Sequence, residues 1–94
     1  MTGSVDEPRT SAASPVDARV RWLCRRGMKE LDVLLERFLA AEYVGLDADA
    51  RADLLTLLEQ EDPILWAWVL GRDTPGEPRL AALVRRIREY RRPA

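Results

Sequence analysis

Residues 22–39, WLCRRGMKELDVLLERFL, decide the fold, because one amphipathic helix ends and a longer one begins within them. Val20, Leu23 and Cys24 lie at the i, i+3, i+4 spacing of a helix face. Gly27 stands where a helix commonly ends in a left-handed residue. A second helix, about residues 29–43, has an apolar face made of Leu31, Leu34, Leu35, Phe38 and Leu39. The stretch therefore predicts two helices with a break at Gly27.

Helical spacing continues downstream and predicts further helices, each with its own start signal. Asp17 is expected to cap the first helix and Asp47 the third. The pair Asp62-Pro63 indicates a fourth start, in which an N-cap aspartate is followed by proline at the first helical position. These polar and proline residues divide the apolar pattern into short helices joined by short connections.

The fourth helix, residues 64–70, is apolar nearly all round, which predicts that it is buried. A last helix is expected over about residues 78–91. No segment alternates apolar and polar residues with period two, so no strand is expected. The predicted fold class is all-α, a compact five-helix bundle over residues 16–92. Residues 1–15, rich in Ser, Thr, Ala and Pro, predict a disordered tail.

Composition excludes several classes of function. The chain has no histidine and one cysteine, Cys24, so it lacks a His-based acid–base mechanism and the usual ligands of zinc or copper. Cys24 lies on the inner side of its helix and is expected to pack as a small buried hydrophobe. No dinucleotide or phosphate-binding fingerprint is present. We expect no catalytic, cofactor-binding or metal-binding residue, and thus a protein that is not an enzyme.

Charge and hydropathy limit the location and the partners. The formal net charge is −1, so no overall cationic field favours nucleic acid. The last helix carries several arginines, but cations stabilise a helix C-terminus and need no phosphate there. The longest apolar run, residues 64–70, is far shorter than the roughly 20 residues of a membrane span. We therefore expect a cytoplasmic protein without membrane insertion and without a nucleic-acid partner.

The junction at residues 25–30, RRGMKE, admits two interpretations. In the first, Gly27 caps a helix, the arginines complement the helix dipole and Glu30 favours the next helix start. In the second, a bare glycine backbone between Arg26 and Glu30 lets a partner approach closely, with donors on one side and an acceptor on the other. Trp22 lies off the apolar face of the first helix, near this junction, and is a candidate interface aromatic.

These residues carry a resemblance to a known family. The run WLCRRGMKELD, residues 22–32, is similar to the signature of the small succinate dehydrogenase FAD assembly factors, the flavinator proteins. Further matches follow in the same order within residues 17–91: Phe38, Glu42-Tyr43, Leu57-Leu58-Glu59, Asp62-Pro63 and Trp66-x-Trp68. The resemblance implies a five-helix domain that binds the flavoprotein subunit of succinate dehydrogenase, and in some bacteria that of fumarate reductase. It also implies that the domain promotes covalent FAD attachment to that subunit.

The resemblance further implies a partner-binding site. The family's Arg-Gly-x-x-Glu element falls on Arg26, Gly27 and Glu30, which are expected to face the flavoprotein. Replacing Arg26 or Glu30 by alanine is expected to weaken function and leave the fold intact. FAD is expected to be held by the partner, with no cofactor tightly bound to this chain. Neighbours included by position alone are Arg25, Met28 and Asp32.

Another class of function fits the same residues. A helical protein-interaction adaptor, such as an antitoxin or a regulatory subunit, would use this surface for a different partner and has no separate signature here. Capture of the bound partner discriminates the two classes. An assembly factor should retain a large flavoprotein, whereas an antitoxin should retain a small toxic protein.

Overall fold

The computed structural model describes residues 14–91, and five α-helices make up most of this part. In chain order they are α1 (Pro15–Leu23), α2 (Lys29–Glu42), α3 (Ala48–Leu58), α4 (Asp62–Leu70) and α5 (Pro78–Arg88). Short 3-10 turns, Tyr43–Gly45 and Glu89–Arg91, continue α2 and α5. No strand occurs within the described residues, and the predicted all-α, five-helix fold is confirmed. Apart from Ser14 and Pro15, the predicted tail lies outside the described residues.

The first helix begins with a serine cap. Ser14 is the N-cap of α1, and its hydroxyl accepts a hydrogen bond of 3.0 Å from the backbone N–H of Asp17. Pro15 follows at the first helical position, where its missing N–H costs nothing. The prediction that Asp17 caps α1 is therefore wrong, because the Ser14-Pro15 pair sets an earlier start. Asp47 does cap α3 as predicted, since its carboxylate accepts from the Ala50 N–H at 2.8 Å.

The fourth helix also starts earlier than the sequence predicted. Glu61 is the N-cap of α4, so Asp62 is the first helical residue and Pro63 lies in the first turn. The Asp62 carboxylate is not a cap, because it pairs with the Arg26 guanidinium. The helix ends at Gly71, whose φ of +81° is left-handed, and this predicted end is confirmed.

The core lies between the helices and is built from apolar side chains. All five helices contribute to it, and Cys24 is buried with them as predicted. Each fully buried Leu or Phe side chain stabilises the fold by about 1.5–3 kcal/mol relative to an exposed one. The largest fully buried side chains are Phe38, Leu31, Leu35, Leu54, Leu57, Leu58, Leu65 and Ile87.

The fourth helix is less buried than its apolar sequence predicts. Leu65 and Val69 are buried, but Ile64 is 41% exposed, and Trp66 and Trp68 are half-buried. α4 packs against α5, and a helix at the outside of a small bundle buries only the face that meets its neighbours. The prediction of a wholly buried helix is therefore wrong. Partly exposed apolar surface remains along α4.

A polar cluster ties α1 to α3 through the 3-10 turn that follows α2. The Tyr43 hydroxyl donates a hydrogen bond to the Asp17 carboxylate. The Arg51 guanidinium carbon lies 4.4 Å from the centre of the Tyr43 ring, and Nη2 donates to the Tyr43 carbonyl at 3.1 Å. The hydrogen bond from Tyr43 lowers the pKa of Asp17. Burial, together with the same hydrogen bond, raises the pKa of Tyr43 to about 12.

Tyr43→Phe is expected to lower the unfolding free energy by about 1–2 kcal/mol at neutral pH, because a hydrogen bond to a charged group is lost. The substitution should also make the unfolding free energy less dependent on pH at both the acid and the alkaline end of the range. Folding lowers the pKa of Asp17 from 3.8, so its contribution is present above pH 3.8 and is lost as the pH falls through the lowered pKa. Folding raises the pKa of Tyr43 from 10.0 to about 12, so its contribution is present below pH 10.0 and is lost as the pH rises to about 12.

Urea denaturation of the wild type and of Tyr43→Phe, repeated from acid to alkaline pH, measures both effects. The wild type should be more stable than Tyr43→Phe in the middle of the range, and this difference should shrink as the pH falls through the lowered pKa of Asp17 and as it rises from 10.0 to about 12. Parallel profiles would show that the Tyr43 hydroxyl has no such role.

Candidate partner-binding site

The Arg26 side chain is buried inside the domain, with 8% of its surface exposed. Nη1 donates hydrogen bonds to the carbonyl oxygens of Leu23 at 2.7 Å and Leu58 at 2.8 Å, and Nη2 donates to the Gln60 carbonyl at 2.5 Å. Nε donates to Asp62 Oδ1, also at 2.5 Å. A guanidinium suits these contacts because its N–H donors form a rigid, planar fork.

These contacts, which we call the Arg26 clamp, bring three helix ends together. Leu23 and Leu58 are the last residues of α1 and α3. The carbonyl groups at such ends lack partners within the helix and carry partial negative charge. Asp62 is the first residue of α4. One cation therefore satisfies two helix C-termini and joins them to the start of a third helix.

Asp32 fixes the loop between α1 and α2 from the other side. Its Oδ1 accepts a hydrogen bond from the backbone N–H of Arg26 at 2.9 Å, and its Oδ2 accepts from the backbone N–H of Gly27 at 3.2 Å. Asp32 lies in the first turn of α2, where the helix dipole also favours a carboxylate. Its side chain is thus engaged with the backbone of its own chain.

Gly27 is exposed on this loop and has a left-handed backbone conformation, with φ of +82°. It is not the cap of α1, because that helix ends at Leu23 with Cys24 as its C-cap. A Cβ at Gly27 would meet no atom within 4 Å, so the domain itself leaves room for a side chain. Glycine is favoured here by the backbone conformation, which costs another residue roughly 1 kcal/mol. The result is a patch of bare backbone facing solvent.

Exposed side chains of both signs flank Gly27 in the chain. Arg25 precedes it, and Lys29 and Glu30 follow in the first turn of α2; all three are exposed. Trp22, near the end of α1, is 69% exposed. A groove of about 640 Å³, lined by residues of the α1–α2 loop and of both flanking helices, runs beside Gly27. The loop offers a partner donors and an acceptor on either side of an open backbone, and Trp22 borders a separate hollow together with Arg25.

Cys24 lines that groove but is suited to packing. It is 7% exposed, and burial raises the pKa of its thiol to about 11. The thiol is therefore protonated at neutral pH and is a poor nucleophile. Within residues 14–91, no cluster of three or more His, Cys, Asp and Glu side chains is placed to hold a metal ion. In the same part of the chain, no helix is long and apolar enough to cross a membrane.

The structure divides the predicted site residues into two groups. Arg26 and Asp32 hold the loop, and Met28 is half-buried against the core at the N-cap of α2. The Arg26 guanidinium binds α1, α3 and α4, so it does not pair with Glu30. The clamp argues against the expectation that Arg26→Ala leaves the fold intact, because the substitution removes these contacts. The exposed group, whose role in partner binding stays a prediction, consists of Trp22, Arg25, Gly27 and Glu30.

Sequence reasoning missed a second hollow, of about 300 Å³, beside Glu30. Its lining includes Val33 from α2, Trp66 from α4 and Tyr90 from the turn after α5. Val33 is 37% exposed and follows Glu30 by one helical turn, so helical spacing alone places it next to Glu30. The positions of Trp66 and Tyr90 depend on how α4 and α5 pack, which no local pattern reveals.

Arg26→Ala is expected to lower the unfolding free energy by about 2–4 kcal/mol, because buried carbonyl groups and a carboxylate lose their donor. Arg25→Ala removes the exposed neighbouring arginine and should change the unfolding free energy by less than about 0.5 kcal/mol. Arg26→Lys should fall between the two, since one ammonium cannot reproduce the planar fork. Urea denaturation of the wild type and these variants measures their order of stability. Equal stability of the two alanine variants would disprove the clamp.

Comparison with known proteins agrees with the sequence resemblance. A family model described as flavinator of succinate dehydrogenase matches residues 18–91. The FAD assembly factor SdhE of Shewanella oneidensis is 46% identical over 71 residues, which cover 76% of this chain and 87% of the relative. The SdhE protein of Coxiella burnetii is 41% identical to this chain over 71 residues, which cover 76% of this chain and 87% of the relative. The SdhE protein of Vibrio cholerae is 43% identical over 70 residues, which cover 74% of this chain and 81% of the relative. The chain therefore belongs to the family of succinate dehydrogenase flavinators.

Proposed function

We propose that this protein is a FAD assembly factor that binds the flavoprotein subunit of succinate dehydrogenase and promotes covalent attachment of FAD to it. Family membership supports this class of function. The observation that best supports a partner-binding site is the exposed, left-handed backbone at Gly27. It lies on a loop that Arg26 and Asp32 hold from two sides. A rigid patch without side chains lets a partner surface approach closely. The flavoprotein subunit of fumarate reductase is a second partner of the same kind.

Each residue of the site has a distinct role in this proposal. Gly27 provides bare backbone, and Glu30, three residues later in the first turn of α2, provides an acceptor. Arg25 adds donors, and Trp22 is a large exposed aromatic of the type that dominates protein interfaces. Arg26 is a positioning residue, which touches no partner group and holds the loop in place.

The attachment chemistry belongs to the partner. Joining the flavin to a histidine side chain requires the ring and the imidazole to be held in reacting geometry. A small helical protein promotes that step by binding one arrangement of the flavoprotein more tightly than the others. A difference of about 1.4 kcal/mol between two arrangements already shifts their ratio tenfold. The assembly factor then dissociates, because the covalent bond no longer depends on it.

We also propose that the chain holds no FAD tightly and acts on FAD bound to the flavoprotein. The lining of the groove beside Gly27 mixes charged and apolar side chains from the loop and two helices, which supports transient contact with a protein surface. A flavin that copurifies with the isolated domain at about micromolar affinity would overturn this part. The composition and charge of the sequence support a cytoplasmic location as part of this proposal. They also support a protein that neither binds nucleic acid nor inserts into a membrane.

Covalent flavin fluorescence on a denaturing gel tests the function. The apo form of the succinate dehydrogenase flavoprotein subunit is mixed with FAD, with and without this protein. We expect fluorescent flavoprotein to appear faster when this protein is present. Equal rates would contradict the proposal and favour an adaptor with another partner, which affinity capture would then identify.

Gly27→Arg is expected to reduce the acceleration of flavinylation at least about tenfold, because a long side chain covers the bare backbone patch. Gly27→Ala imposes the same left-handed strain of roughly 1 kcal/mol but adds one methyl group, so it should retain most of the acceleration. Both variants should fold, since a Cβ at this position meets no atom within 4 Å. The same gel assay, with circular dichroism of each variant, measures the difference.

Gly71→Ala is the matched backbone control for these variants. Gly71 is also exposed and has φ of +81°, but it ends α4. Its replacement should cost similar stability without changing flavinylation. If Gly71→Ala and Gly27→Arg slow flavinylation equally, the effect comes from lost stability and the Gly27 patch is not a contact surface.

Glu30→Gln is expected to slow flavinylation by about tenfold or more, because it removes the charge of an acceptor proposed to meet donors on the partner. The fold should be unaffected, since Glu30 is exposed. Glu77→Gln is the control. Glu77 is an exposed glutamate at the start of α5, whereas the hollow that includes Glu30 lies at the other end of that helix. Affinity for the apo-flavoprotein and flavinylation rate are measured for both. Similar losses in the two variants would argue against a specific role of Glu30.

A further inference from the structure

The hollow beside Glu30 lies where the start of α2 meets α4 and the turn after α5. It has a volume of about 300 Å³, and its apolar lining includes Val33, Trp66 and Tyr90. Val33 is 37% exposed, and the two aromatic residues are half-buried, so apolar surface is open to solvent here. We call this feature the α2–α5 hollow.

Positive charge is concentrated around the α2–α5 hollow. Lys29, Arg37 and Arg91 line it, against the single carboxylate of Glu30. The whole chain has a formal net charge of −1, so this excess is local. Among residues 14–91, no carboxylate forms an ion pair with any of these three cations. Arg37 Nη1 reaches the Tyr90 carbonyl at 3.4 Å, which leaves its other donors for a ligand.

The wall formed by Tyr90 is fixed in place by its own contacts. The hydroxyl donates a hydrogen bond of 2.5 Å to Glu42 Oε2. The ring meets the buried Phe38 ring edge to face, with centres 5.9 Å apart and planes at 78°. Because its hydroxyl is engaged by Glu42, Tyr90 offers the hollow an aromatic surface. The hollow is thus preformed, with an apolar lining and cations beside it.

We propose that the α2–α5 hollow docks an acidic segment of the flavoprotein subunit, in which a carboxylate side chain stands next to an apolar one; this rests on the proposed function. The carboxylate meets Lys29 and Arg91, and the apolar side chain covers Val33 and Trp66. Glu30 and Val33 border the hollow, and Val33 also lines the groove beside Gly27, so both contacts belong to one continuous surface. The volume is at the bottom of the range of about 300–1,000 Å³ that holds whole small molecules, which favours one or two protein side chains over a dinucleotide.

Charge reversal with a charge-matched control tests this docking. The double variant Lys29→Glu/Arg91→Glu changes the hollow, and Arg72→Glu/Arg85→Glu changes two exposed arginines that do not line it. Both doubles alter the net charge equally. We expect the first to weaken binding to the apo-flavoprotein at least about tenfold at low salt and to lower its salt dependence, and the second to weaken binding less than about threefold. Calorimetry at two salt concentrations gives the dissociation constants.

A photo-crosslinking amino acid identifies the occupant. Benzoylphenylalanine at position 33 lies in the hollow and borders the groove beside Gly27, and the same group in place of Val44, which is 88% exposed, is the control outside both. We expect crosslinks from position 33 to a flavoprotein peptide that contains Asp or Glu beside an apolar residue. Crosslinks from position 33 to a second copy of this chain, or equal yields from both positions, would overturn the proposal.

The failure of this inference is distinguishable from the failure of the proposed function. If the wild type does not bind the apo-flavoprotein, the proposed function fails, and the inference with it. If the wild type binds, Gly27→Arg does not, and both charge doubles bind equally well, the function stands and the hollow is not a docking site.

Discussion

The structure depends on one buried cation. The Arg26 guanidinium donates to the carbonyl ends of α1 and α3 and to the carboxylate at the start of α4, so it neutralises two helix C-termini at a point where three elements meet. A domain of this size has a small core, and the loss of one such set of hydrogen bonds is a large fraction of a typical stability of about 5–15 kcal/mol. The position of the α1–α2 loop follows from this contact.

In the proposed function, that constraint lets one short segment hold the fold together and also offer a contact surface. Arg26 and Asp32 point into the domain or along its own backbone, while Arg25, Gly27 and Glu30 are exposed. The exposed backbone can be rigid because the residues on either side of it are anchored. A variant of this segment can therefore lose activity in two ways, either because the fold is less stable or because a contact with the partner is lost. Only paired measurements of folding and binding separate the two causes.

The sequence was sufficient for the helices and for much of the core, because helical spacing and glycine or proline ends are local signals. It could not show that Asp62 pairs with Arg26, since the two are far apart in the chain and Asp62-Pro63 also reads as a cap. Nor could it show that α4 is half-exposed, because burial depends on what packs against each face. Trp66 and Tyr90 line the same hollow as Glu30 for the same reason, through tertiary packing alone.

Nuclear magnetic resonance of the labelled domain, titrated with unlabelled apo-flavoprotein, tests most directly whether the clamp stays closed while its loop meets the partner. The backbone amide signals of Gly27 and Glu30 should shift or broaden first. The Arg26 Nε–H signal should keep its position and its slow exchange with water, because the guanidinium stays bound to the helix ends. An Arg26 side-chain signal that shifts or exchanges rapidly on binding would show that the arginine leaves the clamp to contact the flavoprotein, and the division between anchoring and contacting residues would be wrong.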